Sequence, residues 1–112
     1  MSNSLEIRFD ESDGVLVVVP LTKQLDIVNA SDFCDATLDR LVGRARVVLD
    51  LGTVHFMDSS GIACLVRMLK RMPPGGQLRL AAVERKVQTL LVMTRLAPLF
   101  PSFASVAEAV KD

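Results

Sequence analysis

The chain has 112 residues, half of them hydrophobic, and its 13 basic and 13 acidic residues cancel. This length suits one domain, and a neutral chain without Trp or Tyr lacks the basic surface and stacking platform that nucleic-acid binding needs. No apolar run approaches the roughly 20 residues of a membrane span, and the N-terminus lacks an export-signal pattern. We therefore expect a cytoplasmic protein that neither binds nucleic acid nor inserts into a membrane.

The first half of the chain predicts a hairpin, a buried strand and a helix. Leu5, Ile7 and Phe9 alternate with polar residues, as in a half-exposed strand, and Asp13-Gly14 is a hairpin-turn pair. Residues 15–19 are rich in valine, which predicts a strand buried on both faces, and Pro20 is expected to end it. A helix capped by Asn29 or Ser31 should follow and run to about residue 42.

The second half continues the alternation of strands and helices. Residues 46–51 predict a third strand, and a helix follows from about residue 60 to 72. After the Pro-Pro-Gly-Gly break, we expect a strand over 77–83, a helix from 85 to about 96 and a short edge strand at Leu99-Phe100. A closing helix over 105–111 should be capped by Ser102 or Ser105. The order predicts an α/β domain whose mixed sheet has four to five strands and about four helices.

The few reactive side chains argue against metal or thiol chemistry. Cys34 and Cys64 do not form a CxxC pair, which predicts free, buried thiols in a cytosolic protein. The chain has one histidine and no Cys/His cluster, so we expect no metal site and no bound cofactor.

The stretch FMDSSG, residues 56–61, is the candidate functional site, placed where the third strand gives way to a helix. Asp58 or Ser59 can cap that helix, which contributes about 1 kcal/mol. The same helix start tolerates anionic charge, so a serine there could also be phosphorylated without unfolding the helix. Gly61 and Ala63 carry little bulk, which leaves room for another protein. Both interpretations stay open from the residues alone.

A serine nucleophile is the third interpretation of this stretch. Covalent catalysis needs a base within reach, and the chain's one histidine, His55, lies only three or four residues before the two serines. The GxSxG pattern is absent, and so are the glycine-rich loops that hold nucleotides. We therefore expect no catalytic residues and no enzyme activity.

The segments VVLDLGTVHFMDSSGIACLVRMLKRM, GGQLRLAAV and VQTLLVMTRLAPLFPSFASVAEAV resemble the STAS domain of bacterial anti-sigma factor antagonists. The resemblance covers about residues 5–111 and implies one STAS domain over 1–112. It also implies a protein that, when unphosphorylated, binds a serine-kinase anti-sigma factor and so releases a sigma factor for transcription. The kinase, which supplies ATP and Mg²⁺, would switch it off by phosphorylating Ser59, and a PP2C-type phosphatase would restore it.

The resemblance also implies a set of partner-binding residues. A family motif, G-x-L-D, reads Lys23-Gln24-Leu25-Asp26 here, so lysine replaces glycine, and Arg95 replaces a second family glycine. The implied binding residues are Lys23, Asp26, Asp58, Ser59, Ser60, Gly61 and Ala63. The alternative is a STAS subunit that is never phosphorylated and acts as an interaction module in another complex, such as a lipid or anion transporter.

Overall fold

The computed structural model describes residues 5–111, so residues 1–4 and 112 of the predicted domain lie outside the described part. Strands and helices alternate along it as β1 Glu6–Ser12, β2 Val15–Leu21, β3 Gln24–Leu25, α1 Ala30–Arg40, β4 Arg46–Asp50, β5 Phe56–Met57, α2 Ser59–Arg71, β6 Gln77–Ala81, α3 Arg85–Met93, β7 Ser102–Phe103 and α4 Val106–Ala109. Five strands form a sheet in the order β1-β2-β4-β6-β7, in which only the β1–β2 pair is antiparallel. The predicted mixed sheet with four helices is confirmed.

The N-terminal hairpin turns where the sequence predicted. Asp13 and Gly14 have φ values of 52° and 81°, and the flanking residues Ser12 and Val15 pair directly. Two positive φ angles in a two-residue turn match the twist of the strands, and Asp-Gly is the pair that adopts them most readily. Pro20 does not end β2, contrary to expectation. The parallel pairing with β4 reaches only Val18, so the missing N–H of Pro20 costs no ladder bond on that side.

The sheet is buried on both faces. Leu16 and Val18 of β2 join the larger core under α1, α2 and α3, whereas Val15, Val17 and Val19 join a smaller core with Ala109 of α4. This alternation explains why β2 carries an almost continuous apolar run.

Two arginines of the sheet fix the short helix α4. Arg79 donates to the carbonyl of Ala109 at 3.0 Å, and Arg46 donates to that of Val110 at 2.7 Å. Cations are favoured at the C-terminal end of a helix. At the other end the hydroxyl of Ser105 accepts from the N–H of Glu108 at 3.2 Å. Of the two predicted caps, Ser102 and Ser105, the helix therefore uses Ser105.

The segment after α3 differs from the prediction. The edge strand expected at Leu99-Phe100 is wrong, because Ala97–Leu99 forms a 3₁₀ turn and the ring of Phe100 is buried in the core. The edge strand β7 instead follows Pro101, whose carbonyl accepts from the N–H of Leu80 at 2.8 Å.

Helix α3 ends at Met93, three residues earlier than expected. Arg95 has a φ of 62°, and the N–H of Leu96 reaches back to the carbonyl of Leu91 at 2.9 Å. This is the usual left-handed end of a helix, which glycine adopts most easily. Arg95 therefore keeps the backbone corner that the replaced glycine would have made.

Candidate phosphorylation and partner-binding site

The site is built from two segments, residues 23–29 and 55–61, that lie side by side. β3 and β5 form a separate parallel pair, with Gln24 opposite Phe56 and Leu25 opposite Met57. The carbonyl of Lys23 adds two bonds, from the N–H groups of His55 at 2.7 Å and Phe56 at 3.1 Å. The two-residue strands were missed because a pair of residues carries no periodicity. The prediction that FMDSSG directly follows the third strand is wrong as well. The third predicted strand, β4, ends at Asp50, residues 51–55 intervene, and Phe56–Met57 forms β5.

Asp58 holds both segments through its two carboxylate oxygens. Oδ1 accepts from the N–H groups of Ser60 at 2.8 Å and Gly61 at 3.3 Å, which makes Asp58 the N-cap of α2. Oδ2 accepts from the N–H of Ile27 at 3.0 Å, on the other segment. Of the two predicted caps, Asp58 or Ser59, the structure uses Asp58. One side chain therefore fixes the start of α2 and the loop that leads into α1.

The two serines differ in their surroundings. Ser59 is the first residue of α2, its side chain is exposed, and its hydroxyl bonds no other group of residues 5–111. Ser60 is only partly exposed and faces a groove between α1 and α2. A helix start carries partial positive charge, so a phosphate on the exposed hydroxyl of Ser59 would be tolerated there.

Gly61 lies where the two segments touch. A Cβ atom at this position would lie 2.4 Å from Cγ of Met57 and 2.7 Å from the carbonyl oxygen of Leu25. The space beside Gly61 is therefore filled by the chain itself, while Ala63, half a turn further along α2, is exposed. Glycine is needed here for close packing, and its φ is not in the left-handed region.

The segment before α1 is held by its own polar side chains. Asp26 accepts from the N–H of Val28 at 3.0 Å through its carboxylate, and from that of Ala30 at 2.8 Å through its carbonyl. Asn29 occupies the N-cap position but makes no capping bond. Its side chain points back, accepting from the N–H of Asp26 at 3.0 Å and donating to the carbonyl of Gln24 at 2.9 Å. Asn29, one of the two predicted caps, therefore stands at the N-cap position, but its side chain does not cap α1.

Lys23 replaces the glycine of the family motif without backbone strain. Its side chain is exposed, and its φ is outside the left-handed region that would favour glycine. The lysine changes the side chain that this surface presents, while the backbone carbonyl still joins the two segments.

Large apolar side chains surround this end of the molecule. Of the eight large hydrophobic residues that are exposed among residues 5–111, three lie on the two segments, namely Ile27 (76%), Val28 (69%) and Phe56 (51%), and a fourth, Leu21 (41%), ends β2 just before them. Clustered apolar exposure marks protein contact surfaces more often than chance exposure does. These four residues were not predicted from the sequence, although the apolar pair Ile27-Val28 between Asp26 and Asn29 was a signal.

The two cysteines are buried and free, as predicted. Cys34 Sγ lies 4.0 Å from the carbonyl of Cys64, and burial, followed by the adjacent thiol of Cys34, raises the pKa of Cys64. A thiol that resists ionisation is a poor nucleophile and metal ligand.

Among residues 5–111, no three His, Cys, Asp or Glu side chains converge as a metal site would require. None of the described helices is long and apolar enough to span a membrane.

Comparison with known proteins defines the family. The STAS domain model matches residues 6–109, so the chain belongs to the STAS domain family. It is 29% identical to the anti-sigma F factor antagonist of Paenibacillus polymyxa, over 97% of this chain and 95% of that protein.

Two solved structures share the architecture. An anti-sigma-factor antagonist (STAS) domain protein from Planctomyces limnophilus superposes with a TM-score of 0.85 at 27% identity, covering 92% of each chain. An anti-sigma factor antagonist from Mycobacterium paratuberculosis gives 0.83 at 23% identity, covering 96% of this chain and 92% of that one, a likeness of fold alone.

Proposed function

We propose that this chain is an anti-sigma factor antagonist whose binding is switched by phosphorylation of Ser59. In the unphosphorylated form it binds a serine-kinase anti-sigma factor in the cytoplasm and thereby releases a sigma factor. The observation that carries the proposal is the free, exposed hydroxyl of Ser59 at the start of α2, beside a surface of four exposed apolar residues. The antagonists that match nearly the whole chain support it.

The chain contributes the acceptor, and the kinase contributes the rest of the chemistry. The Ser59 hydroxyl attacks the γ-phosphorus of the ATP that the kinase holds with Mg²⁺, its proton passes to a base of the kinase, and ADP leaves. The fixed start of α2 holds the hydroxyl in place, because Asp58 bonds the next two N–H groups. No group of this chain has to act as a catalyst in this step.

Phosphorylation changes the charge of the docking surface far more than its shape. Phosphoserine carries about −1.5 to −2 charges, which would add to the carboxylate of Asp58 immediately before it. Burying that charge in a contact lined by Ile27 and Phe56 is unfavourable, so the kinase dissociates. A PP2C-type phosphatase then removes the phosphate and restores binding, with the whole chain, residues 1–112, acting as one domain.

The test uses the full chain and each serine-kinase anti-sigma factor encoded in the source genome. We expect the wild-type chain to bind one of them in titration calorimetry, and intact-mass measurement with ATP to show one phosphate, mapped to Ser59. Ser59→Asp should weaken binding at least about ten-fold, a loss of about 1.4 kcal/mol. Ser59→Ala is the matched control, which should bind like the wild type and take up no phosphate.

Two results would contradict the proposal together: an unmodified Ser59 after incubation with kinase and ATP, and Ser59→Asp bound as tightly as the wild type. Recovery of the chain in a transporter complex instead of with a kinase would favour the role of a STAS interaction module.

A further inference from the structure

A groove of about 210 Å³ lies between α1 and α2 near their N-terminal ends. Ile27 and Ser31 line it on one side, Ser60 and Ala63 on the other, and the two buried cysteines form its floor. Arg67, about two turns along α2 from Ser59, also lines it. We refer to this feature as the α1–α2 groove.

We propose that the α1–α2 groove receives an apolar side chain of the kinase that binds at Ser59, with a carboxylate of the same partner beside Arg67. This inference rests on the proposed function. It names the part of the docking surface that selects the partner, and it assigns the contact to residues on both helices.

The position of the groove places it inside the footprint of any protein that acts on Ser59. Residues one turn apart on a helix are neighbours, with Cβ atoms about 5–6 Å apart. Ala63 is one turn from Ser59, and Ser60 is the next residue, and both line the groove. A kinase that brings the γ-phosphate of ATP to Ser59 therefore covers the mouth of the groove.

The lining favours an aliphatic occupant. The walls are short side chains, the floor is the two buried cysteines, and Ile27 stands 76% exposed at the edge. An apolar side chain would cover Ile27 and Ala63 and remove their surface from water. Away from Arg67, a charged group would lose its hydration beside the hydroxyls of Ser31 and Ser60, which do not compensate for a full charge.

The charge of Arg67 in the groove selects for an acid. The nearest carboxylate to Arg67 is that of Asp35, at 3.9 Å, and both side chains are more than half exposed. A pair this long and this exposed is weak, so the guanidinium remains available to a partner carboxylate. An aliphatic residue with Asp or Glu close by is therefore the sequence that fits this groove.

The experiment fills the groove from each wall separately. Ala63→Met acts from α2 and Ser31→Met from α1, and both positions are exposed, so the domain should stay folded. Ala36→Met is the matched control, because Ala36 is an exposed alanine of α1 outside the groove. With the kinase that binds the wild-type chain, both groove variants should bind at least about ten-fold more weakly and the control within about two-fold. Weaker binding by Ser31→Met would not be explained by a methionine that shields Ser59, because Ser31 lies on α1 and Ser59 on α2.

A crosslinking experiment gives a second readout that does not depend on an added methionine. A photo-reactive amino acid at position 63 should join the kinase, whereas the same group at position 36 should not. Mass spectrometry of the joined peptide should find an aliphatic residue next to Asp or Glu. A crosslinked peptide with neither would overturn the inference.

The failures of the two proposals are distinguishable. If the wild-type chain binds and is phosphorylated while both groove variants bind equally well, the groove inference is wrong and the proposed function stands. If the wild-type chain binds none of the kinases, the proposed function fails and the groove inference fails with it.

Discussion

Helices α1 and α2 begin next to each other, and each start follows an aspartate, yet the two starts are held in different ways. At α2, Asp58 caps the helix through N–H groups only two and three residues ahead. At α1, Asn29 stands at the cap position but turns back into the loop, and the N–H of Ile27 is bonded instead by Asp58, 31 residues away. The start of α2 is thus held by one local cap, whereas the loop before α1 combines its own local bonds with a tertiary contact.

This difference makes Asp58 the residue on which both starts depend. Its two oxygens serve different segments, so the free hydroxyl of Ser59 and the exposed side chain of Ile27 are positioned by the same carboxylate. We infer that the docking surface forms as one unit once the domain has folded. Substitutions that remove the bonds of one Asp58 oxygen, or that disturb the contact between the two segments, test this comparison directly.

The largest effect is expected from Asp58→Ala, which removes both functions at once. Loss of an N-cap costs about 1 kcal/mol, and a hydrogen bond to a charged acceptor contributes about 1.5–3 kcal/mol. We expect a loss of about 2–3 kcal/mol in the free energy of unfolding, measured by urea denaturation.

Asp58→Asn is the control that separates the two oxygens. The amide keeps one acceptor, so it can cap α2 or bond the N–H of Ile27, but it cannot do both. We expect the amide to keep the cap of α2, so Asp58→Asn should lose about half as much free energy of unfolding as Asp58→Ala. Hydrogen exchange should accelerate at the amide of Ile27, while the amide of Ser60 stays protected. A variant as stable as the wild type would show that the bond to Ile27 contributes nothing.

The second effect concerns the contact between the segments, at Gly61. Alanine in the interior of a helix is normally more stable than glycine by about 1 kcal/mol, so helix propensity alone predicts that Gly61→Ala stabilises the protein. The added methyl group would instead collide with Met57 and the carbonyl of Leu25, and overpacking costs about 1–3 kcal/mol. We expect a net loss of about 1–2 kcal/mol in the free energy of unfolding, measured by thermal or urea unfolding.

Ala63→Gly provides the matched control for that result. It lies on the same helix at an exposed position, so the ordinary propensity cost of about 1 kcal/mol should appear there. Stabilisation by Gly61→Ala would show that the two segments are not held as closely as the structure has them.

A smaller effect, limited to the start of α1, is expected from Asn29→Ala. The variant loses the two side-chain bonds that close the loop, to the N–H of Asp26 and the carbonyl of Gln24. A net loss of about 1 kcal/mol should result, with faster exchange of the Asp26 amide and no change at Ser60. Equal acceleration at both amides would show that the two starts do not open separately.

The comparison also explains which parts of the molecule could be predicted from sequence. The alternation of apolar residues gave the sheet and the four helices, and the polar pattern of FMDSSG gave the α2 cap, because those signals lie within a few residues. The β3–β5 pair and the tie between Asp58 and Ile27 carry no local signal, since each joins residues about 30 positions apart. The exposed residues Ile27 and Phe56 were likewise missed, because exposure depends on what the rest of the chain covers.

The smallest effect on stability is expected at the functional residue itself. The Ser59 hydroxyl bonds nothing within the described chain, and Asp58 rather than Ser59 caps the helix, so Ser59→Ala should change the free energy of unfolding by less than about 0.5 kcal/mol. Ser59→Asp should be equally neutral or slightly stabilising, because a carboxylate is favourable in the first turn of a helix. If Ser59→Asp unfolds the domain, its loss of kinase binding would be a folding defect. If its unfolding curve matches the wild type while binding is lost, the charge alone acts as the switch.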